Sequence, residues 1–396
     1  MKICYLASKF PPFVGGGETI VYLMARHLSK LGHDVTVITG IFDDFKPYRP
    51  QLHGEKFKIK YVPGFEEFCI GSGGMVKPLS LINQRIEDIK PDIIHVHNLL
   101  PQYLLSPIAE TLCSKIVLSY HNTPNPPLRI IGFFENYNLD HAFAHHIFAR
   151  TKYDSLVATS KFYQQWAVKL GSPVTKTHMI YSGVDVNMFS PEAKRRKRDS
   201  FRKKLRLSQE DILVTLPTRV IRRKGVIEGL RAINLLKEKH PNIKIFLPGL
   251  FSPFDSSFAN RIRNLIEHLH LKDVVVSYKH HLPFNKMPSV YAATDINIVP
   301  SYYEGLGLVV LESLSMEIPT IGTAVSGINE ILINESNGLI VPPRNHEKLA
   351  KAISRLILNP NLAQEMAIRG RRTVLSKFDS LKMAQKFEQH YKTLLK

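Results

Sequence analysis

Residues 296–312 read INIVPSYYEGLGLVVLE. A mostly apolar run ends at Pro300, a polar stretch with Gly305 and Gly307 follows, and an apolar segment of helical character begins near Gly307. The expected order is strand, exit loop, helix, with Glu304 in the loop and Glu312 inside the helix. An apolar run that packs on a sheet has little use for a carboxylate at each end, so the two acids call for a ligand.

The same grammar recurs along the 396 residues. Apolar runs at 3–7, 35–39, 93–97, 116–120, 156–159 and 178–181 alternate with helical patterns, and a second series follows at 212–216, 243–247, 274–277, 296–300, 320–322 and 338–341. Continuous apolar strands separated by helices indicate parallel sheets covered on both faces. The expected fold class is α/β, with two Rossmann-like parallel-sheet domains facing a cleft. A chain of this length is also too long for one ordinary core. The expected domains are 1–190 and 191–375, with 376–396 an amphipathic helix packing back on the first domain. A linker is expected near 188–200.

No apolar stretch is long enough to span a bilayer. The N-terminal MKICYLA is interrupted by Lys9 and two prolines and reads as a first strand, with no signal peptide. Cys4, Cys69 and Cys113 are dispersed and form no CxxC, so a disulfide framework is not expected and a cytoplasmic setting is. The net charge of +19 favours anionic partners. Part of it is local, in KRRKR at 194–198 and the basic residues up to Arg206. This tract reads as a solvated linker and helix face, or as a peripheral contact with anionic membrane. Nucleic acid is not expected, because no aromatic interleaving or finger spacing accompanies it.

In open parallel sheets ligands gather beyond the carboxyl ends of strands, so the exit loops are the informative places. After the first strand comes FPPFVGGGE at 10–18, where Gly16 and Gly17 at a helix start permit close approach of an anion. The dinucleotide fingerprint GxGxxG is not met, since Ile20 stands where its third glycine belongs. IHVHN at 94–98 and SYHNT at 119–123 end at one edge of the same sheet. Their histidines lack the i, i+4 spacing and acidic partner of a metal motif, so no metal is expected, and His121 is a candidate cleft residue. In the second series PTRVIRRKG at 217–225 places Arg219 and Lys224 at a strand-to-helix turn, where a planar fork and a mobile point charge converge on one anion.

The 296–312 stretch now has a reading. Gly305, Leu306, Gly307 and Leu308 offer backbone amides at a helix N-terminus, an anion site. Glu304 and Glu312 are separated by about 8–12 Å if the span starts as loop and ends as helix. That suits a nucleotide sugar, with its diphosphate on the amides, its ribose diol on one carboxylate and its hexose hydroxyls on the other.

These residues together resemble the retaining GT-B glycosyltransferases of family GT4. The resemblance covers nearly the whole chain: the glycines at 15–17, GHDVTV at 32–37, YSGVDVNMFSP at 181–191, Arg219 with Lys224-Gly225, and PS at 300–301 with EGLG at 304–307 and Glu312. It implies that Arg219 and Lys224 bind the donor diphosphate, Glu312 the ribose and Glu304 the transferred sugar. It places Gly16 and Gly17 near the phosphates or acceptor and His121 near the donor sugar. Arg219, Lys224, Glu304 and His121 are the catalytic candidates. Ser182 stands where the family usually has Asn, Leu306 where Phe is common, and PGL at 248–250 lacks a usual second glycine.

The implied reaction is retaining transfer of a hexosyl unit from a nucleotide-diphospho-sugar to a hydroxyl acceptor, with a UDP-sugar favoured over GDP-mannose. No cofactor is implied. With no D-x-D motif, a metal-bridged diphosphate is not required. Two other classes share parts of this profile: an NAD(P)-dependent oxidoreductase, against which the broken fingerprint speaks, and a non-catalytic basic protein binding nucleic acid or lipid.

Overall fold

The chain begins in register with its own later strands. Residues of β1 (Lys2–Ala7) are buried from Ile3 onward and pair in parallel with two neighbours, Ile3 opposite both Val35 and Ile93. The computed structural model describes residues 1–11, 15–41, 55–65, 76–121, 137–250, 256–278, 282 and 284–396. After β1 come α1 (Gly16–Lys30), β2 (Asp34–Thr39), β3 (Lys58–Tyr61), α2 (Val76–Ile89), β4 (Ile93–His97), α3 (Leu99–Leu105), β5 (Lys115–Tyr120), α4 (Tyr137–Arg150), β6 (Ser155–Ala158), α5 (Lys161–Lys169) and β7 (Thr177–Met179). There follow α6 (Pro191–Lys204), β8 (Ile212–Thr215), α7 (Val226–Leu236), β9 (Ile243–Leu247), α8 (Ser256–His268), β10 (Val275–Ser277), α9 (Met287–Ala293) and β11 (Ile296–Val299). The chain closes with α10 (Leu308–Ser315), β12 (Thr320–Thr323), α11 (Ser326–Asn329), β13 (Leu339–Val341), α12 (His346–Leu358), α13 (Pro360–Lys377) and α14 (Ser380–Leu394).

Two parallel sheets result. The first has seven strands in the order β3-β2-β1-β4-β5-β6-β7, and the second has six in the order β10-β9-β8-β11-β12-β13. In each, the strand order reverses once, between β1 and β4 and between β8 and β11. At such a reversal two exit loops leave in opposite directions and open a crevice at the strand ends. The fold therefore singles out the segments after β1, β4, β8 and β11. β3 was not expected from the sequence: it is a short edge strand with Lys58 and Lys60 on it, mostly exposed, and lacks the apolar run that marks a central strand.

The contact units are Met1–Ser182 with Ser380–Lys396, and Gly183–Asp379. The break lies before the expected position at 190/191, because the segment from Gly183 packs into the second unit. Phe189 is fully buried, its carbonyl accepts from Ser315 Oγ at 2.6 Å, and Val184 N donates to Phe378 O at 2.8 Å. In the first unit α14 packs on α1, where His27 bonds Ser380 at 2.9 Å and His33 pairs with Glu388 at 3.0 Å. Among the described residues no helix is long and apolar enough to cross a membrane.

The basic tract is not a linker. Ser190 caps α6 by accepting from Ala193 N at 3.2 Å, Pro191 opens the helix, and the charged run continues it. The run is helical because its other face is buried. Arg198 and Arg202 fork onto Asp295 at 2.5 and 3.1 Å, and Arg202 also donates to the carbonyls of Ser208 and Asp211. Lys194 Nζ donates to Glu317 O at 3.0 Å. Arg195, Arg196, Lys203, Lys204 and Arg206 are exposed.

Candidate active site

In the second unit the exits of β8 and β11 are fastened to each other. The chain after β8 runs to a 3-10 turn at Arg222–Lys224, and Tyr302 N donates to Arg223 O at 2.8 Å. Gly225 closes the turn with φ +66, and a Cβ there would lie 1.9 Å from the Pro300 carbonyl oxygen. Both facts require glycine at this position. The close backbone approach brings Lys224 against Glu304.

Glu304 is almost wholly buried, with its side chain 7% exposed. Lys224 Nζ donates to its Oε1 at 2.5 Å, Ser301 Oγ to the same oxygen at 2.9 Å, and Arg223 to Oε2 at 3.4 Å. Burial alone would raise the carboxyl, but the Lys224 and Arg223 charges and the bonds from Lys224 and Ser301 outweigh it and hold the group below its ordinary value. Burial also pulls the Lys224 ammonium down, to about 8, against the attraction of Glu304, and the charges of Arg223 and Arg219 add to the fall. The pair is therefore ionised at neutral pH. Two cations converge on one carboxylate, which leaves a surplus of positive charge at the mouth of the sheet.

Arg219 is half-buried, and its backbone bridges to Gly249 in the exit loop of β9. The other end of the β11 exit is held from β12: Thr323 Oγ1 donates to Ser301 O at 2.5 Å and Gly327 N to Glu304 O at 3.2 Å. Gly305, Leu306 and Gly307 follow, Gly307 at φ +100, and α10 starts at Leu308 with no side-chain cap. The Leu308 and Val309 amides at its start are the donors that an anion would take, while Val310 N is already bonded to Gly307 O at 2.9 Å. One turn further along, Glu312 is buried and accepts from Tyr291 Oη of α9 at 2.8 Å.

In the first unit the exits of β4 and β5 meet the start of α1. Asn98, at φ +76, accepts from His121 N at 3.1 Å, and the His121 carbonyl accepts from Tyr163 Oη at 2.9 Å. A Cβ on Gly17 would stand 3.1 Å from His121 Cβ, so the glycine turn and the histidine are in contact. Gly16 is the first residue of α1 and is exposed. His121 Nε2 lies 2.8 Å from His97 Nδ1, and burial lowers the His121 ring to about 4. Residues 12–14 of the glycine-loop reading, and Asn122 and Thr123, lie outside the described residues.

Two family profiles match this chain: Glycosyltransferase Family 4 over residues 14–188 and Glycosyl transferases group 1 over residues 197–373. The chain is a GT4-type glycosyltransferase of the GT-B fold. The glycosyltransferase is 25% identical to the putative teichuronic acid biosynthesis glycosyltransferase TuaC of Bacillus subtilis, with 100% of this chain and 99% of that protein aligned. Among solved structures it resembles sucrose-phosphate synthase of Thermosynechococcus elongatus, with TM-score 0.82, 22% identity and 99% and 98% of the two chains covered. It also resembles Anabaena HepE in complex with UDP-glucose, with TM-score 0.81, 18% identity and coverage of 99% and 100%. The dinucleotide-dependent and non-catalytic readings of the sequence give way to this membership.

Sequence reasoning about the glycosyltransferase missed Arg223, Ser301 and Tyr291. Arg223 was visible in PTRVIRRKG but had nothing to set it apart from Arg222. Its guanidinium also lies 5.5 Å from the Tyr303 ring centroid, a cation–π contact that fixes it beside Glu304.

Glu312 carries a pH signature. Burial lifts its carboxyl from 4.5 to about 7, against the bond from Tyr291. A carboxyl raised in the folded state contributes stability that is present below about 4.5 and lost as pH rises through about 7. Glu312→Gln cannot ionise. Relative to wild type it is expected to gain on the order of 2 kcal/mol between pH 5 and pH 8. Melting curves of both proteins across that range check this, and a difference that does not vary with pH contradicts it.

Proposed function

We propose that this enzyme transfers a hexosyl unit from a UDP-sugar to a hydroxyl acceptor with retention of anomeric configuration. The observation that carries the reading is the Lys224–Glu304 pair at the β8/β11 reversal, flanked by Arg219, Arg223 and the uncapped α10 N-terminus. The cations and amides suit a diphosphate, and the buried acceptors suit sugar hydroxyls. The glycosyltransferase relatives support a nucleotide-sugar donor, and the UDP-glucose complex of HepE, a protein of the same fold, favours UDP over GDP.

In this reading Arg219 and Lys224 take the diphosphate together with the amides from Gly305 to Leu308, and stabilise its charge as it leaves. Glu312 accepts from the ribose diol. Glu304, kept ionised by its neighbours, accepts from the hexose; as the family resemblance implies, Gly16 and Gly17 lie near the phosphates or acceptor and His121 near the donor sugar. Glu304 is already bonded through both oxygens, a poor arrangement for a nucleophile. A front-face displacement follows, in which the departing phosphate takes the acceptor proton. Glu304→Gln is expected to reduce transfer at saturating donor while leaving the affinity for free UDP close to wild type. A variant that loses UDP binding but transfers normally at saturation would reverse the roles of Glu304 and Glu312.

A lipid-linked acceptor is favoured by α6, whose inward cations are satisfied while its outer face keeps Arg195, Arg196, Lys203 and Lys204 exposed. Each basic residue near an anionic bilayer contributes about 1 kcal/mol. Reversing these four to Glu should release the protein from phosphatidylserine liposomes at low salt and leave donor turnover in solution unchanged. Arg198 is excluded from the set because its loss would unpair Asp295. Wild-type protein that does not sediment with such liposomes would leave a sugar or small-molecule acceptor as the better choice.

A further inference from the structure

His97 lies at the end of β4 and is fully enclosed, 1% exposed. Its ring stacks on His95 at 4.3 Å between centroids and lies 5.6 Å from the Tyr5 ring. His95 is itself fixed through both nitrogens, to Tyr391 Oη at 2.5 Å and Ser119 Oγ at 2.8 Å. Ser119 Oγ donates to the Val157 carbonyl at 3.0 Å, so it accepts from His95 Nε2–H, and Tyr391 donates to His95 Nδ1. His97 therefore packs against a ring that is itself fixed. Burial and the neighbouring histidines hold both rings neutral, His95 and His97 alike well below the usual imidazole range.

The two nitrogens of His97 differ. Nε2 is buried and has no partner among the described residues, while Nδ1 is 2.8 Å from His121 Nε2. A neutral imidazole carries one proton. On Nε2 it would be a buried N–H with no acceptor, an arrangement that folded proteins almost never tolerate. On Nδ1 it makes a hydrogen bond to His121. The proton therefore belongs on Nδ1 of His97. His121 Nε2 is then the acceptor, and its own single proton is displaced to Nδ1. The Cδ2 edge of the His121 ring faces Gly17, at 3.5 Å from a Cβ placed there, so the Nδ1 edge is the one turned away from α1.

We propose that His97 is a positioning residue that locks His121 as its Nδ1–H tautomer, so that His121 meets an oxygen of the nucleotide sugar as a hydrogen-bond donor and not as a base. This rests on the reading that His121 touches substrate, and it sharpens that reading: the oxygen is an acceptor, a sugar hydroxyl or phosphate oxygen, and the acceptor substrate is deprotonated elsewhere. Among the described residues no carboxylate is bonded to either ring, and the orientation comes from a neutral histidine held in a ring stack.

The test uses the full chain labelled with ¹⁵N-histidine. Long-range ¹H–¹⁵N correlation at pH 7, with the His121 signals assigned by their loss in His121→Ala, should show Nδ1 protonated and Nε2 unprotonated. His97→Leu should convert His121 to the Nε2–H form or a mixture. It should also lower kcat about tenfold, the scale of one lost hydrogen bond, with the donor KM little changed. His97→Asn, which keeps an N–H where Nδ1 stands, should restore most of that loss. An Nε2-protonated His121 in the wild-type spectrum overturns the proposal, as does a His97→Leu protein with wild-type kcat and tautomer. If His97→Leu does not fold, the wild-type spectrum decides alone. If His121→Ala turns over donor normally, the contact with substrate fails, and the spectra still show whether His97 sets the tautomer.

Discussion

Lys224→Ala lowers donor turnover by about 10²-fold or more, the range seen when one preorganised donor to a developing negative charge is removed. The expectation follows from the position of Lys224 and not from its charge alone. Its side chain is 12% exposed and is held 2.5 Å from Glu304 on a turn that Gly225 and Pro300 fix. Little reorganisation is needed to bring it onto a diphosphate. The same substitution leaves Glu304 buried with only Arg223 and Ser301, so stability should fall by about 3 kcal/mol, as when a buried ion pair loses one member. Activity and stability separate in a second protein. Lys224→Met with Glu304→Gln removes both charges, and should recover most of the stability and none of the turnover. Arg219→Ala should be similarly damaging, and the double variant with Lys224→Ala less than additive, because both act on one anion. Turnover near wild type in Lys224→Ala would remove the diphosphate assignment.

Gly225→Ala is expected to be the most destructive single-methyl change in the second unit. The left-handed backbone costs an alanine about 1–2 kcal/mol. The added Cβ would stand 1.9 Å from the Pro300 carbonyl oxygen, so the β8 and β11 exits must also part. A combined loss of at least about 3 kcal/mol corresponds to a fall in Tm of about 6–12 °C for a unit of this size. Turnover should drop with it, since the Tyr302–Arg223 and Lys224–Glu304 bonds span the same gap. A melting temperature within a degree or two of wild type would mean that the two exits are not clamped as described.

Much of this site was legible before any coordinates. Glu304, Lys224 and the glycines at 305 and 307 are local signals, because a strand end followed by glycine and a helix start is written in adjacent residues. What bound them together was not. Arg223 looks like one more basic residue until Tyr302 N and Glu304 fix its backbone and its guanidinium. The tract at 194–198 read as a solvated linker and helix face because its composition is that of a solvated run, and the helix face is what the structure shows. Its inward face depends on Asp295, at the start of β11, which no local pattern connects to α6. His95 and His97 were weighed only against a metal motif, although a tyrosine from α14, near the other end of the chain, completes their network. β3 escaped because this edge strand partly buries only Ile59 and leaves its other residues exposed. Local chemistry was visible, and long-range pairing was not.

The central claim is that the loops after β8 and β11 hold a nucleotide sugar for transfer. Its most direct test is ¹H NMR of the purified enzyme turning over UDP-glucose, related UDP-sugars and GDP-mannose, in which the released nucleoside diphosphate and the anomeric proton of the product are followed together. The account predicts release of UDP from at least one UDP-sugar, a product with the donor's anomeric configuration, and loss of both signals in Lys224→Ala. Release that persists unchanged in Lys224→Ala, or a product of inverted configuration, would contradict it.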